Sequence, residues 1–242
     1  MNCKKLLVTS MILTSCILCA PNVFAAQPIK AQVSKSYVDI SRLIEYNNYE
    51  DADQRLKEIL KENPNDLDAK ALQLISQAKQ WKLAPTQAEL DKLLKQYPNK
   101  PELHYAQGLV YLMRETSSDV EYIKNISNLS NAAIKSFVQA VTLDSTYYQA
   151  YNAMGVATLK LGNKKDAEEL FKVAIKNNPS YAPAYDNLGN IAMLDGDLDQ
   201  AEKYYLQSIK HNSHNPTSMY HMGQVEARRG DYTKALTWLN HS

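Results

Sequence analysis

Gly155, Gly189 and Gly223 recur at i, i+34 and i+68, as do Ala167, Ala201 and Ala235, and again Gly162, Gly196 and Gly230. Three columns with one period restrict the fold more than any other feature. A unit this short cannot bury its apolar face alone, so its copies must stack. In this register YNAMGVATLKLGNKKDAEELFKVAI, from Tyr151, aligns with YDNLGNIAMLDGDLDQAEKYYLQSI, from Tyr185. The series ends in YHMGQVEARRGDYTKALTWLNHS, whose first tyrosine is shifted by one residue.

Each unit carries two apolar stripes at helical spacing. The first runs through Tyr151, Met154 and Thr158, then Tyr185, Leu188 and Ala192. The second runs through Ala167, Leu170, Phe171, Ala174 and Ile175, then Ala201, Tyr205 and Ile209. The unit is therefore helix, short turn, helix. Glycine inside a helix costs about 1 kcal/mol against alanine. Close packing must offset that, with Ala167 or Ala201 expected as the small surface facing Gly155 or Gly189.

The aromatic–x–x–Leu/Met–Gly start, the alanine twelve residues after the glycine, the aromatic four further on and the closing Pro179 resemble the tetratricopeptide repeat (TPR) family. The resemblance implies an all-α fold: a right-handed superhelical solenoid of antiparallel helix pairs, in about six repeats with the last incomplete. The first half keeps register more loosely, with Leu56 over Leu90, Ile59 over Leu93 and Pro64 over Pro98. The expected units are 33–66, 67–100, 101–147, 148–181, 182–215 and 216–242. The third is longer than the rest, the excess lying in ETSSDVEYIKNISNLS. This insertion reads as an extended second helix, opened by a Ser118–Glu121 capping box, or as a mobile loop. Its NIS and NLS triplets are glycosylation sequons, relevant only in a eukaryotic secretory pathway. The sixth unit stops within its second helix, beside Trp238 and Leu239, leaving apolar surface for a homodimer or a partner.

Residues 1–25 read as a secretory signal peptide: Lys4 and Lys5, an uncharged stretch from Leu6 to Ala20, then VFA before the cut. Residues 26–32 form a linker. A rival cut lies at LTSC, where Cys16 would be lipidated. Cleavage after Ala25 is favoured, because Cys16 would begin an apolar, uncharged mature chain. All three cysteines lie in the leader, so the mature chain has no disulfide, thiolate zinc site or cysteine nucleophile. Loss of Lys4 and Lys5 leaves nearly equal numbers of basic and acidic residues, and no basic block suggests nucleic acid. The leader's apolar run is too short for a comfortable membrane span. The expected location is periplasmic or secreted, with a membrane-anchored lipoprotein as the alternative.

No catalytic, cofactor or metal site is expected. The glycines fall one per helix rather than in a phosphate loop. His211 and His214 have ligand-like spacing but sit in a turn between repeats. The carboxylates are scattered over solvated helix faces, with no isolated pair in an apolar setting to raise a pKa. Asp195, Asp197 and Asp199 start like a calcium loop, but its sixth and twelfth places hold Gln200 and Leu206 rather than glycine and glutamate. Gly196 and Asp197 read instead as a left-handed helix end and the next helix's N-cap, with Asp195 and Asp199 solvated.

What remains is a surface. By the family's columns, the first helix of each unit lines a concave groove. The expected partner-binding residues are Tyr105, Leu109, Asn152, Asp186, Asn187, Asn190, Tyr220, His221 and Gln224. Glu102, Leu112, Gln149, Val156, Lys160, Leu194 and Arg228 complete the columns. Tyrosine offers apolar area with a polar tip, and asparagine can donate and accept toward a peptide backbone. The family's carboxylate-clamp subtype is rejected. Asn152, Asp186 and Tyr220 replace its basic column, and Asp186 would repel a terminal carboxylate. The expectation is a non-catalytic module that captures a peptide or helix of another protein in the cell envelope or outside the cell. The alternatives are an assembly scaffold of pilus, secretion or outer-membrane machinery, and an accessory that contacts glycan through Asn152 and Asn187.

Overall fold

The computed structural model describes residues 35–114, 121–213 and 215–241. The leader, the linker, the cysteines, Ser118 and His214 lie outside them. Among the described residues there are twelve helices and no strand. They fall into six antiparallel pairs: α1 (Lys35–Glu45) with α2 (Tyr49–Glu62), α3 (Leu67–Lys79) with α4 (Leu83–Gln96), α5 (Pro101–Met113) with α6 (Glu121–Leu143), α7 (Tyr148–Lys160) with α8 (Lys164–Asn177), α9 (Ala182–Asp195) with α10 (Leu198–His211), and α11 (Pro216–Arg229) with α12 (Tyr232–Leu239). The contacts described below lie within the unit Ile40–Ser242.

In five of the six pairs the turn between the helices is set by one backbone position. Gly162, Gly196 and Gly230 have φ of 83°, 78° and 85°. Asn47 and Trp81, separated by the same repeat interval, hold that place in the first two pairs, with φ of 60° and 63°. The amide after each closes the preceding helix: Asn48 onto Leu43, Lys82 onto Gln77, Asn163 onto Thr158, Asp197 onto Ala192 and Asp231 onto Glu226. Asp197 and Asp231 then cap the next helix, accepting from the amides of Gln200 and Lys234 at 3.0 Å. A left-handed conformation costs a side-chain-bearing residue about 1–2 kcal/mol. The column therefore predicts opposite signs for two substitutions. Gly196→Ala should lose about 1 kcal/mol, and Trp81→Gly, at a half-exposed site, should gain up to about 1 kcal/mol. Urea midpoints read both.

The turn from Leu194 holds no isolated carboxylates. Asp195 and Asp199 are exposed as expected, yet they are paired rather than simply solvated. Asp195 meets Lys164 of the preceding unit, and Asp199 and Glu202 meet Arg229 of the following one, both at 2.6 Å. Such surface pairs are worth about 0–1 kcal/mol.

The partner of the glycine column differs from the expected alanine. A Cβ at Gly108, Gly155 or Gly189 would lie 2.3, 2.5 or 2.4 Å from the ring of Phe137, Phe171 or Tyr205. The glycine makes room for the aromatic of the second helix, which is buried in each case. Ala167 and Ala201 are also fully buried, beside those rings. The first two pairs fill the same columns with Ile40 and Leu56, and with Leu74 and Leu90, all buried. Without the glycine, α3 packs more extensively on α5 than on its own partner α4. The insertion in the third unit forms helix from Glu121 onward, making α6 23 residues long.

Candidate functional site

The first helices α5, α7, α9 and α11 carry the nine residues expected to meet a partner. Tyr105 and Leu109 on α5 are only 5% and 3% exposed, so neither presents surface in this conformation. Asn152 and Asp186 are buried as well, at 9% and 8%. Asn187, Asn190 and His221 are half-buried, while Tyr220 and Gln224 are exposed. The open part of the face thus lies on α9 and α11, together with the exposed Leu194.

The polar residues of this face first tie one unit to the next. Asn187 Nδ2 donates to Asn152 Oδ1 at 2.9 Å, and Arg228 Nη1 to the Met193 carbonyl at 3.0 Å. His221 Nδ1 stands 3.4 Å from Asp186 Oδ1. Each link spans one repeat and one further position, because neighbouring copies bring adjacent columns together. Within the α9–α10 pair, Tyr205 Oη donates to Asn190 Oδ1 at 2.8 Å.

Asp186, Ser218 and His221 are residue types that recur in hydrolases, and their geometry is informative. Ser218 Oγ donates to Asp186 at 2.8 Å and accepts from Asn215 Nδ2 at 2.7 Å. It also lies 2.8 Å from Ser208 Oγ, whose hydroxyl reaches the Ala182 carbonyl at 3.1 Å. Ser218 is fully buried, and its proton is held by the carboxylate rather than by the imidazole. A catalytic serine needs the reverse arrangement and a path to substrate. The cluster pins α9, α10 and α11 together. Among the described residues no group of three His, Cys, Asp or Glu could hold a metal.

A second cluster lies at the other end of the described chain. Glu45, the last residue of α1, lies beside α7: its Oε1 accepts from Tyr148 Oη at 2.9 Å and from Gln149 Nε2 at 2.7 Å. Lys79 Nζ reaches the Ile44 carbonyl at 3.4 Å. Around them stand rings in contact: Tyr105 with Tyr147 at 5.1 Å and with Phe137 at 5.9 Å, and Tyr148 edge-on to Tyr181 at 4.8 Å. Burial pushes the Glu45 carboxyl above its ordinary range, opposed by the bonds from Tyr148 and Gln149 and the charges of Lys79 and Arg42. Burial also lowers the Lys79 ammonium, against the pull of Glu45. Tyr105, Tyr147, Tyr148 and Tyr181 are all raised, first by burial and with a contribution from the Glu45 charge. The expectation that the carboxylates lie on solvated faces therefore fails at Glu45, as it does at the buried Asp186 and Glu226. Tyr147 and Tyr181, one repeat apart, give a sequence signal for the aromatic part. Glu45 gives none, because its partner Tyr148 lies three pairs further along the chain.

A family model described as tetratricopeptide repeat matches residues 128–182 and 187–241. No curated protein matches the sequence significantly. Several solved structures share the fold. TTC0263, a thermophilic TPR protein of Thermus thermophilus, is 20% identical with a TM-score of 0.62, over 82% of this chain and 95% of that one. The APC/C hetero-tetramer Cut9–Hcn1 gives 20% and 0.70, over 84% of this chain but only 36% of its own. PilW, a widely conserved type IV pilus biogenesis factor, gives 19% and 0.55, over 86% and 90%. These likenesses establish a TPR-like helical solenoid. Among the described residues no helix is long and apolar enough to cross a membrane.

Proposed function

We propose that the chain is a non-catalytic protein-binding module of the TPR kind, which captures a peptide or helix of another protein on the face formed by its first helices. The fold itself suggests protein–protein interaction. The observation that carries the finer reading is the open strip on α9 and α11. There Asn187, Asn190, Tyr220, His221 and Gln224 keep accessible area next to the exposed Leu194, over a rigid polar ladder. Aromatic and amide groups on a pre-organised helix face are suited to peptide capture.

The leader reading adds an address: export, with a partner in the envelope or outside the cell. Mass spectrometry of the mature N-terminus should find it after Ala25; a diacylated Cys16 would replace that address with a membrane anchor.

The triple substitution Asn187→Ala, Tyr220→Ala, Gln224→Ala should weaken capture of the crosslinked native partner by about 10–100-fold, with helicity at 222 nm unchanged. Equal capture by a folded triple variant would remove the groove assignment.

A second reading, an assembly scaffold, is favoured by the likeness to the pilus biogenesis factor PilW. Tyr232, Leu236 and Leu239 on α12 are exposed and would serve a homodimer in that role. Sedimentation of the mature chain as a monomer at tens of micromolar would count against that contact.

A further inference from the structure

The Glu45 cluster lies on the first-helix face that the proposed function assigns to partners, and part of the chain already fills it. Gln149 belongs to a groove column, and Tyr105 is one of the residues expected there as a contact. The end of α1 occupies this column: Glu45 bonds Gln149 and its neighbour Tyr148, and burial first, then the Glu45 charge, raises the Tyr105 hydroxyl. We propose that this cradle, with Tyr148 Oη and Gln149 Nε2 as donors beside the rings of Tyr105, Tyr147 and Tyr181, is a second partner subsite on the same first-helix face. Its occupant in the free chain is the chain's own Ile44–Glu45. Its partner is an amphipathic helix ending in an aliphatic residue followed by a carboxylate.

The chemistry of the occupant defines the partner. Ile40 and Ile44, four residues apart, are buried, and Glu45 follows directly. A partner helix with the same pattern presents the same apolar stripe and the same acceptor.

Three observations make the internal occupant exchangeable. Gln149 Oε1 is buried with no donor among the described residues, so the occupant leaves one of the cradle's groups unsatisfied. The corner turns through Asn47 in the left-handed region. The Glu45 carboxylate is also disfavoured by its own burial. A partner that places an amide donor beside its carboxylate would satisfy Gln149 and bind better than the internal segment.

The proposal rests on the groove reading, and its test separates the two. The probe is a labelled peptide copying residues 35–50, added to the full mature chain. A tethered occupant competes at high effective concentration. The probe should therefore bind Ile44→Ala/Glu45→Ala at least tenfold more tightly than wild type, and adding Tyr148→Phe and Gln149→Ala should cancel the gain. In wild type, amide exchange of residues 40–50 should be faster than in α7, needing no variant to fold. Equal probe affinity for wild type and a folded double variant, or a corner as protected as α7, would overturn the proposal. Partner capture lost in the Asn187/Tyr220/Gln224 variant would leave the groove reading standing in that event. Tight probe binding with unchanged partner capture would instead remove the groove reading from α9 and α11 alone.

Discussion

Phe171→Ala is expected to cost about 3–5 kcal/mol, the range for removing a fully buried aromatic ring. Phe171 fills the space over Gly155 and belongs to one cluster with Ala167, Leu188 and Ile191, flanked by Val156 and Tyr204. The loss therefore falls within the α7–α8 pair and on its joint with α9 and α10. Guanidinium titration followed at 222 nm reads it. The glycine supplies a sharper check. Gly155→Ala places a methyl 2.5 Å from the Phe171 ring and should cost about 1–3 kcal/mol despite alanine's better helix propensity. Combining it with Phe171→Leu should recover part of that cost, giving a coupling of at least about 0.5 kcal/mol. Additive effects would mean that the two positions do not meet in solution.

The second large effect is expected at Asp186. Its carboxylate accepts from Ser218 and lies beside His221, joining α9 to α11 while almost fully buried. Asp186→Ala removes the acceptor from a buried hydroxyl and should cost about 1–3 kcal/mol. Asp186→Asn keeps an acceptor oxygen at the same place and should retain much of the stability. Because repeat arrays are stabilised by nearest-neighbour interfaces, α11 and α12 should gain amide exchange before α7 and α8 do. Uniform loss of protection along the chain would contradict this local role.

The parts of the fold that can be read from the sequence are those governed by local chemistry. A glycine followed by Asp or Asn can end one helix and start the next without outside help, so Gly196–Asp197 is legible. Asn47 and Trp81 occupy the same turn position but carry no such signal, because neither has glycine's freedom and only the backbone reveals them. The alanine column looks like the glycine's counterpart, although the ring four residues later fills that space. Which residues share the first-helix face is legible from periodicity. Which of them remain available is not. The bonds from Asn187 to Asn152 and from Asp186 to Ser218 depend on the angle between neighbouring units, which no single repeat encodes. Glu45 is the extreme case: it bonds Tyr148, 103 residues further along the chain, so no local pattern announces the contact.

The glycine–aromatic fit has a consequence for how the gene can change. Pairs three to five close through the same ring-over-glycine fit, Phe137 on Gly108, Phe171 on Gly155 and Tyr205 on Gly189. Recombination between the matching stretches of coding sequence could add or excise a whole pair there and recreate a joint already proven to pack. The first two pairs carry buried Ile40 and Leu56, and Leu74 and Leu90, in those columns instead, and do not offer interchangeable edges. This chain can therefore lengthen its reach by duplication from its later half, while the end that bears Glu45 stays fixed.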